Sequence, residues 1–246
     1  INSRIVDLDL DTIDQVTQIN LSDTRTALGN GEVRDLQLVE IVAHSGTLTL
    51  GVNGVVDTSG QINLGGQNVV LQGVINSQRN TSSLLDYEVQ IVAVSDATIS
   101  GSYDLAGSLL VRAGQDINVI NTRILATGED QRVTMQATRD LKLGNTTPEE
   151  DVDLAALPSK AVVLQGDRAL ELTAGHNLDA GADALLYSAA DGSNITLRAQ
   201  TMHMAGSAYA GASFDVNAAD GVSPTVWTGQ NALLDLRATS AMEIGG

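Results

Sequence analysis

The chain has no cysteine, three prolines and, in 246 residues, four tyrosines, one tryptophan and one phenylalanine. The missing cysteine excludes disulfides and thiolate metal centres. So few rings exclude the usual globular core, which leans on large aromatic side chains. Val, Ile, Leu and Ala must do the packing, which favours a narrow, layered interior where small side chains stack. With 24 glycines against three prolines, turns fall to Gly, Asn, Asp and Ser. Basic residues are also scarce, 13 against 30 acidic ones, for a net charge of −17. Phosphate backbones need clustered Lys and Arg, so nucleic acid is excluded as a partner and anionic membrane surfaces are disfavoured. No run approaches the roughly 18 apolar residues of a membrane span. No basic stretch leading into an apolar one opens the chain, so no signal peptide is read there. Beginning at Ile1 and ending on Gly245 and Gly246, it reads as an excerpt of something longer.

What is present is a short unit, written twice between Leu109 and Leu143: apolar, any, apolar, any, Ala, a three-residue turn, then apolar, any, apolar. Leu109, Val111, Ala113, Ile117 and Val119 fill the first copy, and Val133, Met135, Ala137, Leu141 and Leu143 the second. The unit returns at Leu170, Leu172, Ala174, Leu178 and Ala180, and at Leu234, Leu236, Ala238, Met242 and Ile244. Polar residues such as Thr134, Glu171, Asn118 and Lys142 stand between the apolar ones. One face is therefore in and one out, the two-residue period of strands. The Ala markers at 93, 113, 137, 174, 199 and 238 are spaced by 20, 24, 37, 25 and 39 residues. The short spacings suit one turn of a solenoid, and the long ones coincide with insertions near 145–160 and 205–229. Each unit also has room for a third strand, as in 122–126, 162–164 and 185–187. Three short strands per turn predict an all-β chain folded as a triangular parallel β-helix with turns of roughly 20–25 residues. Leucine-rich repeats would need an Asn ladder and a helical half. A propeller would need four antiparallel strands over a longer period. Residues 1–45 alternate as strands but lack the Ala and turn markers. They are read as early strands or irregular first turns, with 46–246 as the regular shaft.

Chemistry is thinly signalled. His44, His176 and His203 have no metal-ligand spacing. Asp7, Asp9 and Asp11 alternate along one strand and could hold a hard cation such as calcium, or simply solvate an edge. Glu149, Glu150, Asp151 and Asp153 pose the same alternatives in a loop. Arg112, Arg198 and Arg237 share one position of the unit and could form a basic stripe or salt bridges. Four of the six rings come late: Tyr187, Tyr209, Phe214 and Trp227. Exposed, they would stack on sugars or partner proteins; packed, they would pin the second insertion to the shaft. Parallel β-helices also host polysaccharide lyases and hydrolases, but paired acids mean little in a chain with 30 of them. No catalytic constellation is read, and no cofactor is expected beyond the calcium alternative.

The segments LLVRAGQDINVINTRILATGED, TMQATRDLKL and LELTAGHNLDAGADALLYSAADGSNITLRA resemble the repeats of filamentous-haemagglutinin-type exoproteins. The resemblance covers about residues 89–204 and 232–245, and 46–75 more loosely. It implies a right-handed parallel β-helix shaft, secretion to the bacterial cell surface, and adhesion to other cells, glycans or extracellular matrix; it supplies no catalytic residues. The expectation is a non-enzymatic structural segment of a large surface adhesin. The alternatives are a polysaccharide-active β-helix enzyme and a sheath or filament subunit that associates end to end through uncapped strand edges.

Overall fold

The computed structural model describes residues 4–11, 17–28, 31–58, 60–78, 87–128, 130–144, 162–213, 226–227 and 229–245. The strands are β1 (Arg4–Asp11), β2 (Thr17–Leu28), β3 (Gly31–Thr58), β4 (Gln61–Leu71), β5 (Val74–Ser77), β6 (Val89–Ala93), β7 (Ala97–Leu105), β8 (Leu109–Ala113), β9 (Ile117–Ala126) and β10 (Arg132–Ala137). They continue as β11 (Leu141–Leu143), β12 (Val162–Gly166), β13 (Ala169–Ala174), β14 (Asn177–Ala180), β15 (Ala184–Ser188), β16 (Asn194–Met204), β17 (Ser207–Ala210), β18 (Ala212–Ser213), β19 (Val226–Trp227) and β20 (Leu233–Ile244). The all-β class expected from the period-two pattern is found, and no helix occurs among the described residues. None there is long and apolar enough to cross a membrane.

Eighteen strands join one sheet, and beyond the first two the pairing is parallel throughout. Three ladders run through it. The first passes from β3 through β4, β6, β8, β10, β13 and β16 to β20. The second passes from β3 through β4, β7, β9, β11, β14 and β16 to β20. The third passes from β3 through β5, β7, β9, β12 and β15 to β17. The third strand of each unit, read at 122–126, 162–164 and 185–187, is the material of that ladder.

Register follows the repeat. Val39, Ile62, Val89, Leu109, Val133, Leu170, Ile195 and Leu234 pair in order along the first ladder. Leu48, Val69, Ala97, Ile117, Leu141, Leu178, Met202 and Met242 do so along the second. A one-residue slip would turn every inward side chain outward, so the alternation enforces this stacking. Inward residues of all three ladders merge into a single core, and most are wholly buried. Tyr103 is one of them, in line with Ile75 and Ile124, its hydroxyl donating to the Ser100 carbonyl at 3.0 Å. Burial raises its pKa far above the ordinary phenol range.

The Ala markers close the first ladder. Ala93, Ala113, Ala137 and Ala174 pair in sequence, as do Ala199 and Ala238. Here the chain bends towards the second ladder, and the corner admits little. At Gly66, in the same column, even a methyl group would stand 2.5 Å from the Asn68 carbonyl.

The beginning of the chain is built differently. β1 runs antiparallel along residues 47–57 of β3, and β2 forms an antiparallel hairpin with 31–43. Both lie on the edge of β3 opposite β4 and β5. β1 and β2 therefore differ from the later units in strand direction, whereas residues 38–43 of β3 already form the first layer of the parallel first ladder. The span 205–229 divides: Ser207–Ala210 pair with β15 inside the third ladder, and the chain leaves it only afterwards, where β18 meets β19 antiparallel.

Candidate contact surfaces

Outward columns decide what the sheet shows to solvent. On the first ladder Glu40, Asn63 and Gln90 form one column, and Val42, Gly65 and Val92 the next. Gly65 lacks a side chain between two valines, and a trough of about 370 Å³ lies there, its lining including these six residues and Val94. A methyl on Gly65 would stand 3.5 Å from the nearest atom. The backbone thus tolerates alanine here. Val92 and Val94 are 45% and 64% exposed. Asn63 Oδ1 is buried and accepts no hydrogen bond. An apolar floor beside the polar residues Glu40, Asn63 and Gln90 suits a ligand with one hydrophobic face and one polar edge. Sequence reasoning missed this trough. Its signal was the GG of 65–66, which looks like an ordinary turn.

Further along the same column lie Arg112, Gln136, Thr173, Arg198 and Arg237. The shared register of the three arginines holds, but polar residues interrupt the stripe. Arg112 Nε donates to Gln136 Oε1 at 3.0 Å, and Arg237 pairs with Asp235 at 2.7 Å.

The turns between the first and second ladders carry the most ordered polar array. Asp96 N–H donates to Asn68 Oδ1 at 3.3 Å, Asp116 N–H to Asp96 Oδ1 at 3.1 Å, and Asp140 N–H to Asp116 Oδ1 at 3.1 Å. Asn177 continues the series on Asp140 Oδ1. Each side-chain oxygen satisfies the turn amide of the next layer, a stacked form of the Asx turn. Arg139 forks onto Asp116, and that hydrogen bond is the main reason the Asp116 carboxyl is held below its usual range. At the turn entering the first ladder, Ser108 N–H donates to Glu88 Oε2 at 2.5 Å, and Ser108 Oγ donates to Gln131 Oε1 at 3.0 Å. The Arg132 guanidinium lies 4.5 Å over the Tyr87 ring. In sequence, residues 78–88 read only as a break in the pattern.

Of the four late rings, Tyr187 and Tyr209 are paired neighbours on β15 and β17. Tyr187 is only 2% exposed, and its hydroxyl donates to Gln165 Oε1 at 2.8 Å. Gln165 in turn donates to Asp167, which accepts the Gly128 N–H at 2.8 Å. Burial first, and the nearby Asp167 charge second, push the Tyr187 phenol up. This ring offers no open face for a ligand; it packs. Phe214 lies outside the described residues. So does the Trp227 side chain, whose backbone faces Ala212.

The backbones of Asp7, Asp9 and Asp11 lie in β1, with Asp9 and Asp11 opposite Thr49 and Thr47; their side chains are outside the described residues, as are Glu149, Glu150, Asp151 and Asp153. His176 lies on the turn row with Arg139, and His203 faces outward beside Asp179 and Glu243; the His44 side chain is not described. Among the described residues no three His, Asp or Glu converge to hold a metal ion. Compared with protein-family models, curated proteins and solved structures, the chain finds no match.

Proposed function

We propose that the three ladders close into a right-handed parallel β-helix, and that the chain is a non-enzymatic shaft segment of a large secreted bacterial surface adhesin. Its work is to span distance from the cell and to carry loops and side surfaces to glycans, matrix or other cells. One observation carries this reading: from β3 to β17, layer after layer repeats the same three parallel pairings around one shared core. Such a construction grows in length without changing its cross-section. Parallel crossovers are overwhelmingly right-handed, which agrees with the hand implied by the exoprotein resemblance. The acids also favour a structural role. Asp96, Asp116, Asp140 and Asp167 accept backbone amides of neighbouring layers rather than converging on a cleft. The trough at Gly65 is the contact site on the side of this shaft.

The experiment is protease shaving of intact producing cells, with the parent polypeptide followed by antibody and mass. The expected outcome is a very large surface-cleavable parent whose loss abolishes adhesion. A small freely secreted parent would sink the proposal. At the trough, Gly65→Leu should fill the dent and abolish retention on a glycan surface that the native chain binds, without shifting its melting temperature.

A further inference from the structure

We propose that the trough at Gly65 takes one unit of a cationic glycan, a β-linked 2-amino-2-deoxyhexose with a free ammonium group; the inference rests on the reading of the trough as the contact site of the shaft. The trough lies inside the sheet. It crosses β3, β4 and β6, with β2 paired to the far edge of β3 and β8 to the far edge of β6. Glu40, Asn63 and Gln90 form one of its outward columns, and Val42, Gly65 and Val92 the other, two residues further along the strands. With strands about 4.8 Å apart and about 3.3 Å per residue, the floor measures roughly 10 Å by 7 Å. That suits a pyranose ring lying flat.

The floor selects the ring. One column is apolar, with Gly65 leaving room between Val42 and Val92, and Val94 adds to the apolar side. The other column offers a carboxylate and two amides. In a β-linked sugar of gluco configuration every ring substituent is equatorial. Each face of the ring therefore presents C–H groups, and the polar groups lie on its rim. A C–H face resting on Gly65 and Val92 sets that rim against Glu40, Asn63 and Gln90, which between them accept and donate hydrogen bonds.

The charges select the amine. Among the described residues lining the trough, Glu40 is the one charged side chain. It keeps an interaction of its own within the fold, and a carboxylate with about four lone-pair sites accepts an ammonium as well. Beyond Val92 the next strand carries Arg112, whose Nε donates to Gln136 Oε1 at 3.0 Å, away from the trough. The positive charge thus stands three strands from Glu40, roughly 14 Å. It disfavours a unit bound the other way round, with its ammonium at the Val92 end. The whole-chain charge of −17 adds a long-range attraction for a polycation and repels a polyuronate.

Calorimetric titration of the 246-residue chain with a fully deacetylated, β-linked glucosamine hexasaccharide tests this, with the N-acetylated hexasaccharide and an oligogalacturonate as comparisons. The deacetylated probe should bind about tenfold more tightly than its acetylated form, the factor that a hydrogen bond to a charged group supplies. The oligogalacturonate should not bind. Glu40→Gln should lose about tenfold in affinity. Glu171→Gln removes the same charge from the same outward column on β13 and should leave the affinity unchanged. Gly65→Leu should abolish binding, and Gly65→Ala, whose methyl meets its nearest neighbour at 3.5 Å, should keep the native melting temperature and weaken it. Equal losses in Glu40→Gln and Glu171→Gln would show that the probe follows net charge alone, and would overturn the proposal. Equal affinity for the acetylated form would overturn it too; if Gly65→Leu then abolished that binding, the trough would stand as a contact site without the ammonium. Absence of binding by the deacetylated probe also rejects the proposal, while retention on a glycan surface, lost or kept in Gly65→Leu, decides the trough reading by itself.

Discussion

Asp116 shows how one side chain serves two layers. Its carboxylate accepts the Asp140 turn amide and the Arg139 guanidinium, and its own amide rests on Asp96. The charged form is the one these donors favour, so the folded-state pKa lies below the unfolded value near 3.9. A group shifted this way stabilises the fold above the unfolded pKa, and the contribution disappears as pH falls through the lowered folded value. A carboxyl NMR titration should therefore place the Asp116 midpoint below that of ordinary aspartates, and Arg139→Gln should move it back up. An unmoved midpoint in the variant would show that Arg139 is not the cause. The sequence pattern marked these positions as turn residues, since AGQD, ATRD and AGHN follow each strand alike. That their oxygens reach the next layer, 20 to 37 residues later, was not legible locally.

At the level of the turn, stacking distance governs what a residue can be. A Cβ on Gly175 would run into the Thr138 carbonyl of the layer below, and one on Gly114 into the Val94 carbonyl. The cause is backbone approach between layers, and side-chain rearrangement cannot relieve it. Gly175→Ala should cost about 1–3 kcal/mol in denaturant unfolding, whereas Thr173→Ala, outward and exposed on the adjoining strand, should stay within about 0.5 kcal/mol. Equal effects would remove the steric explanation. Strand elements were the most legible part of the chain, because alternation marks them and the Ala markers fix their phase. The antiparallel start was less so: β1 and β2 alternate like every other strand, and alternation carries no direction.

For the molecule as a whole, layers that touch only their neighbours should fail locally first. Ile117 is wholly buried between Ala97 and Leu141 of adjacent layers. Ile117→Asp buries a carboxylate with no partner, a cost of roughly 3 kcal/mol or more. Amide exchange should lose protection first in β7, β9 and β11 while β4 and β16 keep theirs. Uniform loss along the chain would instead indicate one cooperative unit.

The sequence alone determined the strand period, the inward residues, the Ala corners and the presence of a third strand, because each is set by local alternation and by which residues tolerate a turn. Only the tertiary structure decided the rest. It set the direction of β1 and β2, the burial of Tyr187 and the trough at Gly65. Each of these depends on what lies across a ladder, and that neighbour is a layer away in space and tens of residues away in sequence.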